Sequence, residues 1–386
     1  MQSLFWDIVP HPGEKVQQYM HFPGAFPEKP SYGVENTMHE EKTKLAAPRN
    51  YGIDLLRLVL MYMVCMLHVL KTGGILDASE GIAVKHGAFW LLEAFCVSAV
   101  DGFAIISGYM ATDKPPRHSK LLEMWAQVFF YSFVLTAIFT ALGIRQSWEP
   151  VEMLQAALPV TFSKFWYFTG FVVVFLVGPY IHRVVQTMQR KEARVAILVL
   201  ALLFVRVIED PFETDYGYST LWLLVMYCLG ALAKRAQLLE AVSSRKLVLL
   251  LGLCVWGSWQ FYMTLGSTRL MNYISPTVVL SGLVLVVLFS RLQLGGRVLS
   301  RLSPLAFGVY LFQLNCVVWD KLTDSFAFLV DKNIVLGVFL AFLAALGIFA
   351  AGLTVEKLRC ILAKWMKIDV LCRKIVDFAA GKLEKL

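Results

Sequence analysis

The chain has 386 residues, 58% of them hydrophobic and 17% charged, with a mean hydropathy of +0.61 and a formal net charge of +8. Soluble domains carry roughly 45–50% apolar and about 25% charged residues, so this chain lacks the polar surface to cover itself in water, and its covering solvent is lipid. The cations are spread among loops, which argues against reading the net charge as a nucleic-acid surface, and the seven Cys form no CxxC pair and lie mostly in apolar runs, which leaves neither a disulfide framework nor a metal site.

Residues 1–50 are polar, carry Pro10, Pro12, Pro23, Pro27 and Pro30, and lack a long apolar run. They read as a mostly disordered cytosolic leader, with Met38 a candidate alternative start. Apolar segments then follow in quick succession, at approximately 52–70, 88–110, 121–143, 165–184, 194–208, 219–234, 246–265, 275–291, 302–321 and 334–355. A spanning helix needs roughly 20 apolar residues. The expected fold class is therefore all-α, a polytopic membrane bundle of about ten helices over 51–356, with a short surface helix added near 150–161.

The loops set the direction through the excess of Lys and Arg on the cytoplasmic side. The second loop carries Lys114, Arg117 and Lys120, the fourth Arg183, Arg190, Lys191 and Arg194, the sixth Lys234, Arg235, Arg245 and Lys246, and the eighth Arg291, Arg297 and Arg301. The fifth is acidic, with Glu209, Asp210, Glu213 and Asp215. This alternation predicts both termini in the cytoplasm. Residues 357–386 form a basic amphipathic tail that either lies on an anionic membrane surface or packs on the bundle. No internal repeat of the transporter kind is evident.

Ionisable groups inside a bilayer are costly and mark candidate sites. The first segment holds Asp54, Arg57 and His68. Eleven residues separate Arg57 from His68, which returns to within about 20° of the same helix face, roughly 16 Å along the axis. Arg binds phosphate with a planar, permanently charged fork. His can take a proton from a hydroxyl near neutral pH. The separation is comparable to the pantetheine arm of coenzyme A, so a phosphate end at Arg57 would deliver a thioester towards His68. The plain alternative is an interfacial Arg and a His hydrogen-bonded in the core. The second segment holds Glu93, Ser98 and Asp101, then Ser107-Gly108-Tyr109. Asp101 falls near mid-membrane and needs a donor. His68 is one candidate partner, which would repeat the logic of a carboxylate-oriented imidazole. An Arg of another helix, or a structural bond between helices, is the other. Ser107-Gly108 is a small-residue pair that lets another backbone approach closely.

Arg57, ten residues and His68 resemble the R-x10-H signature of the membrane acyltransferase 3 family. Val100-Asp101-Gly102-Phe103-Ala104-Ile105-Ile106-Ser107-Gly108-Tyr109 resembles its VDxFFxxSGF/Y segment, Phe165-Trp166-Tyr167-Phe168 through Pro179-Tyr180 its WYL…P block, and Ser303-Pro304-Leu305-Ala306-Phe307-Gly308-Val309-Tyr310-Leu311 its late S-x-GIYLIH helix. These matches keep their order from 51 to about 355. The resemblance implies His68 as catalytic base or acyl carrier, Arg57 and Asp101 beside it in the catalytic set, and acetyl-CoA or another acyl-CoA as co-substrate. It sets Arg57, Ser107, Arg117 and Lys120 with the donor, although the positive-inside bias alone also accounts for Arg117 and Lys120, and packing accounts for Ser107. Trp166, Tyr167 and Gln313 fall on the acceptor side. Two positions depart from the pattern: Gln313 stands where a His is usual, and Gly102 where a bulky aromatic is usual.

The expected function is transfer of an acetyl or similar acyl group from cytoplasmic acyl-CoA to a hydroxyl of a surface glycan, cell-wall component or lipid-linked sugar, in a bacterial plasma membrane. No nucleic acid or metal is expected as a partner. The alternative is a transporter or flippase in which Arg57, His68 and Asp101 relay ions or protons.

Overall fold

The computed structural model describes residues 49–112 and 117–383, and every regular element among them is helical. The leader, Met38 and Lys114 lie outside these residues. The main helices in chain order are α1 (Tyr51–Leu70), α2 (Ala83–Cys96), α3 (Ala99–Tyr109), α4 (His118–Ala141, with a π-helical turn at Phe130–Val134), α5 (Trp166–Thr187), α6 (Arg190–Phe204), α7 (Thr220–Ala236), α8 (Ser244–Leu265), α9 (Pro276–Ser290), α10 (Ala306–Gln313), α11 (Cys316–Leu322), α12 (Ile334–Trp365) and α13 (Ile368–Leu383). A short helix, Pro150–Ala157, follows α4 where one is expected. It opens on Pro150, whose fixed φ suits a first helical position.

Seven stretches among the described residues are long and apolar enough to cross a membrane. They are α1, α2 with α3, α4, α5, α8, the Arg269–Ser290 stretch that ends in α9, and α12. The stretches Leu299–Gln313 and Cys316–Asp331 form an eighth if taken as one span bent by 74°. Each of the ten expected segments is helical, but α6 has 15 residues and α7 has 17. At 1.5 Å per residue these reach roughly 22 and 26 Å, short of a hydrocarbon core of about 30 Å. The physical reason is clearest in α7, which packs against α3, α5 and α6. Most of its side chains from Trp222 to Ala236 are buried. Its apolar residues meet protein, so hydropathy alone overstates its reach.

α1 sits at the centre, packed against α2, α3, α9, α10 and α12. Asn50 starts it: its Oδ1 accepts from Ile53 N at 3.1 Å, and its Nδ2 donates to Ser290 O at 2.8 Å. This cap satisfies an otherwise orphaned amide and ties the start of α1 to the end of α9. α3 and α7 approach each other closely. A Cβ added at Gly108 would fall 1.9 Å from Tyr227 O, and one at Gly230 would fall 2.1 Å from Ile105 O. The small-residue reading of Ser107-Gly108 holds here: the two backbones touch because neither position carries a side chain. Gly108→Val should therefore wedge α3 from α7 and cost about 1–3 kcal/mol or more, as overpacking does. Thermal unfolding in detergent reads this as a lowered midpoint, and an unchanged midpoint would contradict the close approach.

Gly102, the aromatic position in the resembled segment, has a local explanation. A Cβ there would meet Leu60 Cδ1 at 2.8 Å. Leu60 of α1 is fully buried and fills the space a larger residue at 102 would take.

α10 and α11 are one apolar run broken at Leu314-Asn315. Asn315 Oδ1 accepts from Val317 N at 3.0 Å and Val318 N at 3.4 Å, which caps α11. Its Nδ2 donates to Tyr131 O and to Thr136 Oγ1, both at 2.8 Å. Asn315 thus satisfies backbone groups at the break with its side chain, as backbone at membrane depth requires. It leaves Gln313 at the end of a helix, facing α1.

The tail differs from a single amphipathic piece. Residues 357–365 continue α12, and only α13 is separate. α13 packs on α4 with Cys372 buried, while Leu371, Ile375 and Phe378 stay exposed.

Candidate active site

Two helix faces build the site. On α1 and its C-cap, Arg57, Met61, Val64, His68 and Lys71 recur at spacings of three and four. On α2 and α3, Trp90, Glu93, Val97, Val100, Phe103 and Ser107 do the same. Residues so spaced share one face of a helix. All of them line a single cavity of about 820 Å³. The two faces run antiparallel, with Gly102 level with Leu60. Arg57 and Ser107 therefore stand at one end, and His68, Lys71, Trp90 and Glu93 at the other. Trp166 and Tyr167 of α5 and Tyr310 of α10 complete the wall between. The volume falls in the range of small-molecule sites, and the composition, apolar walls with few polar groups, is typical of them.

At one end, Asp54 organises the cations. It is 1% exposed, and its Oδ1 accepts from Arg57 Nη1 at 3.0 Å and from Ser303 Oγ at 3.1 Å. Its Oδ2 accepts from Arg49 Nε at 2.5 Å. This fixes the Arg57 guanidinium while Nη2 and Nε keep no partner among the described residues. An anchored fork with two donor nitrogens left over can hold an anion.

At the other end, His68 Nδ1 lies 3.0 Å from Gln313 Oε1. Gln313 Nε2 faces Met61 Sδ at 3.8 Å. An amide oxygen only accepts, so the shared proton sits on Nδ1 and the lone pair is on Nε2. The imidazole ring packs edge-on against Trp319, with centroids 5.0 Å apart and planes at 81°. Ring and tautomer are thus both fixed, and Nε2 is the atom left to act as a base.

Several expected residues stand elsewhere. Asp101 does not reach His68: its Oδ1 accepts from Trp222 Nε1 at 2.8 Å, its Oδ2 has no partner among the described residues, and it is fully buried outside the cavity wall. It joins α3 to α7 rather than orienting the imidazole. Gln313 stands behind His68, fully buried, rather than facing an acceptor. Arg117 is exposed at the start of α4, and Lys120 pairs with Glu123 at 3.1 Å. Neither lines the cavity. Ser107 does line it, but its Oγ donates to Phe103 O at 2.9 Å within its own helix. Trp166 and Tyr167 both face the cavity. Trp166 lies 5.5 Å from Tyr167 and 5.0 Å from Tyr218, ring centroid to centroid. Reasoning from residues alone passed over Lys71, Trp90 and Tyr310. The three-and-four spacing from Trp90 to Ser107 was the signal available for Trp90.

Neither curated proteins nor solved structures give a match to the chain. The model of a family described as an acyltransferase domain matches residues 50–354, which covers the central helix, both faces of the cavity and the broken helix. The chain belongs to this acyltransferase 3 family, and it is an integral membrane acyltransferase.

Proposed function

We propose that the protein moves an acetyl or similar acyl group from cytoplasmic acyl-CoA to a hydroxyl of a glycan, cell-wall or lipid-linked sugar acceptor. The observation that carries this reading is the single cavity shared by Arg57 and His68. An anion clamp and an oriented base, roughly 16 Å apart by helix rise, match a donor that is phosphorylated at one end and reactive at the other. The alternating loop charges support a cytoplasmic Arg57 end. The plasma membrane of a bacterium suits such an acceptor.

In this reading the diphosphate or 3′-phosphate of the donor takes the open donors of Arg57, and pantetheine runs along α1. The acceptor hydroxyl approaches His68 Nε2. As its oxygen attacks the thioester carbonyl, Nε2 takes the proton. The C–S bond then breaks, and the imidazolium returns the proton to the leaving thiolate, which releases free coenzyme A. Gln313 keeps Nδ1–H in place throughout. The apolar walls exclude water, which protects the thioester from hydrolysis.

Arg57→Ala should raise the half-saturating acetyl-CoA concentration about tenfold or more, since hydrogen bonds to charged groups contribute about 1.5–3 kcal/mol. Turnover at saturating donor should change less. Initial-rate assays in nanodiscs at varied acetyl-CoA measure both. A fall in turnover with no change in donor saturation would remove Arg57 from the donor site.

A further inference from the structure

The segment between α6 and α7 carries Tyr216 and Tyr218, which both line the cavity and are both 49% exposed. Ser290 at the end of α9 meets Asn50 at the start of α1, so α9 runs against α1, and the turn before α9 lies at the His68 end. The segment is tied to that turn at two points. Arg206 N donates to Ile274 O at 2.8 Å, and Tyr218 Oη donates to Tyr273 Oη at 3.4 Å. Two open aromatic rings thus stand at the end of the cavity where His68 acts.

The backbone that carries them is strained. Glu213, Asp215 and Tyr216 take left-handed φ values of 51°, 52° and 51°, which residues other than glycine hold only where the surroundings impose them. Asp210 imposes them here: its Oδ1 accepts from Thr214 Oγ1 at 2.8 Å, and its Oδ2 accepts from Tyr216 N at 3.0 Å. Gly217 completes the turn at a φ of 106°, and a Cβ there would fall 2.4 Å from Tyr273 Cβ. The turn sets Tyr218 between Trp166 and Tyr273, at 5.0 and 4.9 Å from centroid to centroid. Burial of the two rings does not offset the strain, because each stays half-exposed. Strain of this kind clusters where ligands are clamped.

A tyrosine ring offers a flat apolar face and a polar edge. One face of a pyranose ring is likewise flat and lined with C–H groups, while its hydroxyls radiate from the edge. Stacking the two buries both apolar faces and leaves a hydroxyl free to reach a base. An open-chain polyol has no such face. We propose that Tyr216 and Tyr218, backed by Trp166, form the platform on which the acceptor sugar ring stacks, so that the site favours cyclic over open-chain polyols. This rests on the acyltransferase reading above and deepens it by naming the residues that hold the acceptor. The hydroxyl that reacts is the one the stacked ring turns towards His68 Nε2. Asp210 touches neither substrate and is a positioning residue: it holds the turn that aims both rings.

The test uses the full chain in nanodiscs with acetyl-CoA, and a methyl hexopyranoside and the corresponding open-chain hexitol as probes. The wild type should acetylate the pyranoside in preference to the hexitol. Tyr216→Ala and Tyr218→Ala should each raise the half-saturating pyranoside concentration about three- to tenfold and narrow the preference, with acetyl-CoA saturation and turnover at saturating acceptor unchanged. Tyr218→Phe keeps the ring and should stay close to the wild type, which separates stacking from the Tyr273 hydrogen bond. Asp210→Ala should weaken pyranoside saturation in the same way, and Asp210→Asn, which keeps one acceptor oxygen, should weaken it less. The proposal is overturned if the wild type does not prefer the pyranoside, if both Tyr→Ala variants leave its saturation unchanged, or if donor and acceptor saturation weaken together. A wild type that acetylates membrane extract but neither probe overturns the platform. No turnover of acetyl-CoA with any acceptor overturns the donor assignment beneath it.

Discussion

Replacing His68 with Ala should lower acyl transfer by about 10²–10⁴-fold, the range a positioned general base contributes. The loss should appear in turnover and not in donor saturation, because the phosphate end is held at Arg57. The fold should survive, since His68 faces a cavity and its only polar bond among the described residues is to Gln313. Gln313 supplies the finer test. Gln313→Ala removes the acceptor that keeps the proton on Nδ1, so the imidazole loses its fixed tautomer and turnover falls by a smaller factor. Gln313→Glu keeps an oxygen at that place and should retain much more activity than Gln313→Ala. A purely structural role would make the Glu variant the worse of the two, because it buries a new charge. Initial rates and thermal midpoints, measured on the same preparations, separate these outcomes. His68→Ala with full activity would remove the base from the mechanism.

Glu356→Ala should be among the most destabilising single changes, at about 3–5 kcal/mol, the cost of breaking a buried pair by removing one partner. Glu356 is 1% exposed on α12. Its Oε2 accepts from Tyr131 Oη and from Arg359 Nε, both at 2.9 Å, and its Oε1 accepts from Arg359 Nη2 at 2.6 Å and from Cys360 Sγ at 3.2 Å. The carboxylate thus gathers α4 and α12. It also packs on α10, where a Cβ at Gly308 would fall 2.4 Å from Glu356 Oε2. The π-helical turn in α4 carries Tyr131 to this contact. Removal would leave the Arg359 guanidinium, 15% exposed, without its anion. α10 carries Gln313, so loosening here reaches the base as well. Thermal unfolding in detergent should show a large downward shift for Glu356→Ala and a smaller one for Glu356→Gln, which keeps an acceptor. A shift for Glu356→Ala within the error of the wild type would contradict this account.

The helices were legible because lipid demands long apolar runs, and α1, α5, α8 and α12 have them. The reach of α7 was not, since its apolar residues are covered by α3, α5 and α6 and hydropathy cannot tell protein from lipid. The pairing of Arg57 with His68 on one stripe was legible from 3.6-residue periodicity, because both lie on one helix. Partners on other helices were not. Asp101 meets Trp222 across 121 residues, and His68 meets Gln313 across 245. No spacing rule reaches so far. The expectation that a carboxylate orients His68 came from residue type. The structure gives the place to an amide, which can fix a tautomer but cannot balance an imidazolium charge. The resemblance sets Arg117 and Lys120 with the donor, while the positive-inside bias alone accounts for them. Both lie at the start of α4, outside the cavity wall, where Lys120 pairs within its own helix.

The central claim is that one donor molecule bridges Arg57 and His68 through the cavity. Cryo-electron microscopy of the protein with an acetyl-CoA analogue in which a methylene replaces the thioester sulfur tests it most directly. The account predicts phosphate density against the Arg57 guanidinium, pantetheine along Met61 and Val64, and the acetyl carbonyl beside His68 Nε2. Phosphate density away from Arg57, or an acetyl group outside the cavity, would contradict it.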